Sequence, residues 1–407
     1  MKIITKQPSY IISESLDIGQ HNWDLPQHLA LGQLSMEKLF KTVAIESGTL
    51  AASLPVSKQT LAVENMQFDD PLMKQRKISG EQLLNRRLYN DALLVMHKGE
   101  VIHESYRNGM QPNDRHVIHS CTKSLCAMQI AIAIEEGLLH ASDSIIKHLP
   151  TFKHHQAWQG VTLQHVLDMQ AGIEYNEDYT DENADYWRYA RAAGYYPPKV
   201  GESAIGAKAW AVGNLINRVH KPGSAFVYNS CLANVLGMVL ESVYQTGLAE
   251  IFEQLLYQRV DTQASGYFNT DPQGFPITEG QFNLRLRDFA SIAALMINQG
   301  INSAGEQVIS NGFIHDLVKP DKVYQQAYQA VVKDSIFPQA QYKNQFWVLK
   351  PNQQQFTMLG IHGQFAWYDL SRQLMIVGMG SYPVQDGNLM MSALDTLWQG
   401  IALRVDV

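Results

Sequence analysis

The sequence predicts an α+β fold in which helices flank an antiparallel sheet and a mostly helical domain is inserted into the sheet. Strand-like segments occur between residues 92 and 106 and again after residue 342, whereas helical periodicity dominates the residues between them. No internal repeat and no Pro-rich or Gly/Ser-rich linker divides the chain. We therefore expect one sheet built from both ends of the chain.

Composition supports a globular protein. Of the 407 residues, 45% are hydrophobic and 17% are charged, which is enough apolar material for a large core. The net charge of −7 lacks the basic excess of a nucleic-acid binder. The three cysteines are odd in number and show no metal-ligand spacing, which argues against a disulfide framework and a structural zinc. We expect no metal and no cofactor.

Two segments bear on location. The apolar run at the N-terminus is broken by Lys6 and Pro8, whereas a secretory signal needs about seven apolar residues in a row. The longest apolar stretch, residues 125–134, is about half of the ~20 residues that span a membrane. We expect a cytoplasmic protein with no membrane partner, and the sequence leaves a homodimer open.

Three parts are expected along the chain. Residues 1–75, broken by prolines, are interpreted as an N-terminal wrapping extension. Residues 76–124 and 285–407 are expected to form an α/β sandwich, and residues 125–284 a mostly helical domain. The active site is expected at the interface between these two parts.

The individual elements follow from periodicity and turn residues. Residues 92–97 and 101–106 flank Gly99 and indicate a hairpin, and a helix is expected from Ser120 to Glu136 with Gly137 ending it. The further expected helices are 163–170, 207–219, 232–246, 288–299 and 388–404. The further expected strands are 345–349, 355–361, 364–369 and 373–380.

Common catalytic and ligand motifs are absent from the sequence: it contains no GxSxG, HExxH, GxGxxG or P-loop. The adjacent His154 and His155 have no partner ligand at useful spacing. We interpret them as part of a solvated loop.

The motif that points to chemistry is Ser-x-x-Lys. It begins at Ser35, Ser120 and Ser144, a frequency close to chance, but only Ser120 opens a long apolar helix after a strand-like segment, residues 116–119. A helix N-terminus offers N–H groups to a substrate oxyanion. Lys123, one turn on, could lose its proton if half-buried and accept one from the serine. The alternative is an N-cap serine followed by an exposed lysine.

Two later segments could complete such a site. Tyr228 lies in a loop before a helix, and a lysine nearby would lower its pKa and make it a proton shuttle; the alternative is a packing tyrosine. In residues 358–364, two glycines indicate close approach of a backbone or a ligand. A strand edge there could offer a second oxyanion N–H, and a tight strand with a bulge is the alternative.

Taken in order, these three motifs resemble the serine β-lactamase and penicillin-binding-protein superfamily. The segments 106–109, 114–116 and 162–172 add to the likeness, which covers about residues 85–407. The run 360–364 resembles the 6-aminohexanoate-oligomer hydrolases and β-lactamase-fold esterases more than the antibiotic-destroying enzymes. The resemblance implies a β-lactamase-like fold.

The resemblance also implies residue roles. Ser120 would be the acylated nucleophile, and Lys123 and Tyr228 would move its proton. The backbone N–H groups of Ser120 and Ile361 would form the oxyanion hole. Ser230 would hold substrate or tune Lys123.

Four further substrate contacts are expected by the same resemblance: Gly360, Asn283, Tyr175 and Tyr179. The two tyrosines belong to residues 174–196, where acidic and aromatic side chains alternate. This segment is either a solvated loop or a lid over the pocket. An acidic lid carrying Asp178, Asp181 and Asp185 would favour substrates with a free amine.

Two departures from the family pattern affect the expected substrate. Ser230 stands where most β-lactamases have Asn, and Met358 stands where they have Lys or His. Without that basic residue the carboxylate of a β-lactam would lack its partner. We therefore expect a hydrolase of small esters or linear amides. The alternatives are a β-lactamase or D,D-peptidase, and a non-catalytic ligand-binding or sensor module.

Overall fold

The computed structural model describes residues 2, 8–50 and 52–405. Residues 1 and 3–7, which bear on the expected lack of a secretory signal, lie outside the described residues. The strands are β1 (Ile11–Ser13), β2 (Ile18–Gly19), β3 (Thr42–Ile45), β4 (Gln67–Asp69), β5 (Lys77–Ser79), β6 (Asn90–His97), β7 (Glu100–Tyr106), β8 (His116–Val117), β9 (Gly266–Asn269), β10 (Phe282–Leu284), β11 (Gln341–Lys343), β12 (Phe346–Lys350), β13 (Gln355–Gly360), β14 (Gln364–Asp369) and β15 (Leu374–Gly380).

The α-helices lie mainly between β8 and β11. They are α1 (Leu29–Gln33), α2 (Met36–Leu39), α3 (Gly80–Leu83), α4 (Cys121–Glu135), α5 (Ile145–His148), α6 (Leu163–Leu167), α7 (Asp185–Ala192), α8 (Ala207–Asn214), α9 (Cys231–Tyr244), α10 (Leu248–Leu255), α11 (Leu286–Ile297), α12 (Asn311–Val318), α13 (Lys322–Val331) and α14 (Asn388–Val405). Within the described residues, no helix is both long and apolar enough to cross a membrane.

The main sheet has seven strands in the order β11-β12-β13-β14-β15-β6-β7, and all neighbours are antiparallel. The early hairpin β6–β7 therefore joins the late strands through the pairing of β6 with β15. This confirms the expectation of an α+β fold with one sheet built from both ends of the chain.

Alternating side chains divide the core between the two faces of this sheet. On β14, Phe365 and Trp367 belong to the core that includes α14, whereas Ala366 and Tyr368 belong to the core that includes α11. Trp367 stacks on Trp398 of α14 with ring centroids 5.8 Å apart. Both faces are covered, which explains why β15 is buried along its whole length.

Helix α4 is buried on all sides over most of its length, since every residue from Cys121 to Ala133 is buried. The sequence indicated apolar residues at three- and four-residue steps, which is typical of a helix with one buried face. The structure differs because α4 packs against α9 on one side and against strands β13 and β14 on another. Ser120, just before α4, is therefore held by the core.

A second sheet, in the order β3-β9-β10-β8, was not predicted. Strand β3 belongs to the expected wrapping extension, and β9 and β10 belong to the expected helical part. The expected strand 116–119 ends at Val117, since His119 turns the backbone with a φ of 43°. The proposed division into domains stays a prediction.

Candidate active site

The Ser120 hydroxyl lies next to the ammonium group of Lys123. Lys123 Nζ donates a hydrogen bond to Ser120 Oγ at 2.7 Å, across one turn of α4. The lysine side chain is only 1% exposed, so the alternative of an exposed lysine is wrong. In the competing motif, Lys147 instead pairs with Asp143 at 2.7 Å.

Three groups surround the Lys123 ammonium. Nζ donates to the backbone carbonyl oxygen of Glu279 and lies 3.9 Å from the Glu279 carboxylate and 5.3 Å from the centre of the Tyr228 ring. Burial acts to lower the pKa of Lys123, but electrostatic interactions with Tyr228, Glu279 and Glu177, together with a hydrogen bond to Tyr228, outweigh it and raise the pKa above its usual value. The expectation of a readily deprotonated lysine is therefore wrong, and the ammonium is the resting form.

Tyr228 lies in the loop before α9, and its ring stacks on Trp347 with centroids 5.6 Å apart. Burial raises the pKa of its phenol, and hydrogen bonds to Ser120 and Lys123 together with the lysine charge offset only part of this effect. The expected lowering of the Tyr228 pKa is therefore wrong. At neutral pH the phenol is protonated and reaches both Ser120 and Lys123.

Sequence reasoning missed Glu279. This residue is 4% exposed, its carboxyl group accepts a hydrogen bond from the Tyr195 hydroxyl, and burial raises its pKa. No motif marks this residue, because it lies in a connection between β9 and β10 and meets Lys123 only in the folded chain.

Ser230 and Tyr179 share one partner, Glu177. Its carboxylate accepts hydrogen bonds from the Ser230 backbone N–H at 2.7 Å, from the Ser230 hydroxyl, and from the Tyr179 hydroxyl at 2.7 Å. The hydroxyl of Ser230 therefore has a hydrogen-bond partner within the chain itself. Glu177 ties the acidic, tyrosine-rich segment to the start of α9.

Gly360 ends β13, and Ile361 begins the turn that follows. A Cβ atom at position 360 would lie 2.7 Å from the Ile118 carbonyl oxygen and 3.0 Å from the His119 Cβ. The predicted close approach of a backbone is confirmed, and its partner is the turn before Ser120. This contact brings Ile361 to the nucleophile.

Two adjoining cavities open at this point. The nucleophile cavity is a cleft with about 220 Å³ of empty space, part of which is open solvent, and it is lined by Ser120, Tyr179, Ser230, Glu279 and Gly280, together with four residues that also line the second cavity. The second cavity, with about 330 Å³ of empty space that likewise includes open solvent, shares His119, Tyr186, Gln281 and Ile361 with it.

Some expected contacts are not brought to either cavity. The Tyr175 hydroxyl meets Cys231 Sγ at 3.6 Å, and Asn283 Nδ2 donates to the backbone oxygens of Tyr267 and Gln281 inside the second sheet. Neither residue lines either of these two cavities, and nor does Gly360. Their substrate contacts stay predictions.

The segment 174–196 divides by residue type. Its six acidic residues, all described by the structure, are absent from the walls of both cavities. Its aromatic residues supply those walls: Tyr179, Tyr186, Trp187, Tyr195 and Tyr196. The segment therefore covers the cavities with rings, and its carboxylates lie outside their walls, with Glu177 behind Ser230 and Tyr179.

Across the described part of the chain, no three His, Cys, Asp or Glu side chains cluster so as to hold an ion. The chemistry that these side chains can perform is proton transfer and nucleophilic attack.

Comparison with known proteins gives consistent matches. The Beta-lactamase family model matches residues 69–388. A 6-aminohexanoate-dimer hydrolase from Paenarthrobacter ureafaciens is 28% identical over 298 residues, which are 73% of this chain and 74% of that protein.

Two solved structures share the fold. One, from Bacillus anthracis and provisionally assigned as a 6-aminohexanoate-dimer hydrolase, has a TM-score of 0.86 at 20% identity and covers 98% of this chain and 99% of its own. The other, a family VIII carboxylesterase, has a TM-score of 0.57 at 13% identity and covers 79% of this chain and 95% of its own. At these identities the two structures establish the fold.

Proposed function

The chain belongs to the beta-lactamase family, and we propose that it is a serine hydrolase that cleaves small esters or linear amides through an acyl-enzyme on Ser120. The observation that carries this proposal is the 2.7 Å hydrogen bond from Lys123 Nζ to Ser120 Oγ, beside a cavity that Ser120 and Ile361 both line. Relatives named as hydrolases of an amide dimer and of carboxylic esters support the same reaction class.

Acylation begins from the form of the site that has lost one proton. The Ser120 hydroxyl attacks the substrate carbonyl carbon and its proton passes to the Lys123/Tyr228 pair. The backbone N–H groups of Ser120 and Ile361 stabilise the oxyanion. The bond to the leaving group then breaks, and Tyr228 returns the proton to the leaving oxygen or nitrogen.

Deacylation runs the same proton path in reverse. A water molecule gives its proton to the Lys123/Tyr228 pair and attacks the acyl carbon, and the proton then returns to Ser120 Oγ as the acid departs. The Glu279 carboxyl group lies 3.9 Å from Lys123 Nζ, where its ionised form would pair with the ammonium within the buried site.

The walls of the cavities favour esters and linear amides over β-lactams. No lysine or arginine is among the described residues that line either cavity. Met358, at the position of the family's basic strand residue, is fully buried in the core. A β-lactam carboxylate would therefore enter without a cationic partner from these walls.

The test is hydrolysis of p-nitrophenyl acetate and butyrate with intact-mass detection of the acyl group. We expect turnover by the wild type and none by Ser120→Ala. Ser144→Ala is the matched control, since it removes the serine of another Ser-x-x-Lys motif, and it should keep full activity. A persistent acyl group on Ser120 without turnover would favour the sensor module, and no acylation at all would refute the proposal.

A further inference from the structure

Glu279 contacts the Lys123 ammonium group with two different parts of the residue. Lys123 Nζ donates a hydrogen bond to the Glu279 backbone carbonyl oxygen and lies 3.9 Å from the Glu279 carboxyl group. Both side chains are almost fully buried. The backbone contact places the ammonium, whereas the carboxyl group can add a negative charge beside it. A substitution that changes only the side chain therefore separates the two contributions.

The connection that carries Glu279 is fixed on both sides of this residue. Thr278 Oγ1 donates a hydrogen bond to the Ala233 carbonyl oxygen of α9 at 3.0 Å. The Gln281 backbone N–H donates to the Ile277 carbonyl oxygen at 3.2 Å. These bonds do not involve the Glu279 side chain, so we expect its backbone carbonyl to stay in place when that side chain is replaced.

Tyr195 orients the carboxyl group of Glu279. The Tyr195 hydroxyl donates a hydrogen bond to this carboxyl group. Its ring packs edge-to-face on Phe40 and on Tyr189, with centroids 6.2 Å apart in each case. A hydrogen bond donated to a carboxylate favours the charged form. Tyr195 therefore stabilises a negative charge that faces Lys123.

The titratable groups that interact electrostatically with Lys123 are His119, Cys121, Glu177, Tyr228, Cys231 and Glu279. Burial raises the pKa of the two thiols and of the phenol and lowers the pKa of the imidazole, so these four groups are uncharged at neutral pH. Two carboxyl groups remain. Glu177 already accepts hydrogen bonds from Ser230 and Tyr179. Of the two, Glu279 is the one that forms an ion pair with Lys123.

We propose that Glu279, oriented by Tyr195, is a positioning residue that holds Lys123 as an ammonium and so sets the pH range in which Ser120 can be acylated. The inference rests on the proposed hydrolase function and goes beyond it, since neither residue belongs to the motifs that carry that function. A carboxylate beside an ammonium makes loss of the ammonium proton harder. Burial raises the pKa of Glu279, and the charge of Lys123 opposes this rise, so each group favours the charged form of the other.

The first test is the pH dependence of kcat/KM for p-nitrophenyl butyrate in Glu279→Gln, which removes the carboxyl charge and keeps the shape of the side chain. An opposite charge at this distance shifts a pKa by about 1–3 pH units. The alkaline rise should therefore begin at lower pH, and the ratio of kcat/KM at pH 7 to kcat/KM at pH 9 should increase by about tenfold or more. A purely structural defect would lower both values alike and leave their ratio unchanged, which would overturn the proposal.

Two further variants test the charge and its orientation. Glu279→Asp keeps the carboxyl group, so its profile should lie closer to that of the wild type than the profile of Glu279→Gln does. Tyr195→Phe removes one hydrogen bond to the carboxylate, so it should move the profile in the same direction as Glu279→Gln by a smaller amount. A profile of Glu279→Asp that matches that of Glu279→Gln would contradict a role of the charge.

Glu135→Gln is the matched control. Glu135 is the exposed last residue of α4, the helix that also carries Lys123, and its replacement changes the net charge by the same amount. We expect the wild-type pH profile. An equal shift in Glu135→Gln and Glu279→Gln would mean that net charge and not the contact with Lys123 moves the profile, and it would overturn the proposal.

An unfolding measurement separates this inference from the proposed function, because it requires no catalysis. In Ser120→Ala, urea unfolding at pH 7 compares Lys123→Met alone with Lys123→Met combined with Glu279→Gln. Loss of the ammonium leaves a buried carboxylate unpaired, so Lys123→Met should lower the urea midpoint more when Glu279 is intact than when Glu279→Gln is present. Equal losses would overturn the pairing, even if the enzyme hydrolyses esters.

The outcome remains decisive if a variant does not fold. Folding of Lys123→Met only in combination with Glu279→Gln would itself be the expected coupling. Should neither combination fold, the pH profiles of Glu279→Gln and Glu135→Gln decide. A lack of acylation at Ser120 would refute the proposed function and leave the coupling between Lys123 and Glu279 measurable by unfolding.

Discussion

A Cβ atom on Gly360 would lie 2.7 Å from the carbonyl oxygen of Ile118. Ile118 precedes Ser120 by two residues, and Gly360 precedes Ile361 by one. The contact therefore fixes the distance between the two backbone N–H groups proposed for the oxyanion hole. The rings of His119 and His362, with centroids 5.6 Å apart, hold the same two segments together.

Gly360→Ala should lower kcat strongly. The added methyl group meets backbone atoms, so β13 must move away from the turn before Ser120. Loss of one oxyanion donor typically costs about 10²–10³ in kcat. We expect a fall of that order for p-nitrophenyl butyrate, measured by steady-state kinetics, while circular dichroism shows a folded protein.

Gly213→Ala is the matched control for this substitution. Gly213 lies in α8, and a Cβ there meets no heavy atom within 4 Å. We expect full activity and a gain of about 0.5–1 kcal/mol in the free energy of unfolding, since Ala suits a helix interior better than Gly. Equal activity of Gly360→Ala and Gly213→Ala would show that the contact with Ile118 does not set the oxyanion hole.

Local patterns predicted the elements that carry the nucleophile. The hairpin 90–106, helix α4 and strands β12–β15 follow from periodicity and turn residues within short windows. The motif around Ser120 and Lys123 was recognisable because both residues lie on one helical turn. Such signals lie in residues that are neighbours in the sequence, so they can be recognised without knowledge of the fold.

Long-range contacts account for what was missed. Glu279 meets Lys123 across 156 positions of the chain, and β3 pairs with β9 at Thr42 and Asn269. Asp24 reaches the cavity only because the N-terminal part packs beside residues 186–196. The direction of the Lys123 pKa also depends on these partners, so the sequence alone favoured the wrong direction.

The pH profile of hydrolysis should rise toward alkaline pH. Lys123 and Tyr228 both have a raised pKa, so at neutral pH each holds its proton and the reactive form is the minority. Below the pKa of the Lys123/Tyr228 pair, the fraction of the protein in the reactive form grows about tenfold per pH unit. We expect kcat/KM for p-nitrophenyl butyrate to climb between pH 6 and 9, after subtraction of the rate with Ser120→Ala.

The same profile should lack a step near pH 6.5. Burial keeps His119 and His362 neutral across this range, since their pKa values are lowered. A plateau that begins below pH 7 would contradict the raised pKa of Lys123 and Tyr228.

Cephalosporins should be poor substrates. No described residue lining the cavities is a lysine or arginine, and an unpaired buried carboxylate costs about 1–3 kcal/mol, or about tenfold to hundredfold in kcat/KM. We expect kcat/KM for a chromogenic cephalosporin to be at least that far below the value for p-nitrophenyl butyrate. The ester rate of the same preparation is the control, and comparable values for the two substrates would favour a β-lactamase.

The stability of the protein should depend on the protonation of Asp168. This carboxyl, which is 2% exposed, accepts hydrogen bonds from the Asn344 backbone N–H at 2.9 Å and from the Tyr324 hydroxyl at 2.7 Å. Burial raises its pKa to about 6 from a usual value of 3.8. Between these two pH values the folded state binds more protons than the unfolded state, so the free energy of unfolding falls as the pH rises.

Above pH 6 the buried charge of Asp168 should cost up to about 3 kcal/mol relative to pH 4. Urea unfolding of the wild type and of Asp168→Asn, at pH 4.5 and pH 7.5, measures this. The advantage of the wild type over the variant should be larger at pH 4.5. Asp143→Asn is the control, because the pKa of Asp143 shifts in the opposite direction: Lys147 and His148 lower it in spite of burial. The contribution of Asp143 to the free energy of unfolding should therefore not fall as the pH rises. A difference in the free energy of unfolding between the wild type and Asp168→Asn that is the same at both pH values would contradict this prediction. It would mean that Asp168 is ionised in both the folded and the unfolded state, because its hydrogen bonds fully offset the cost of burial.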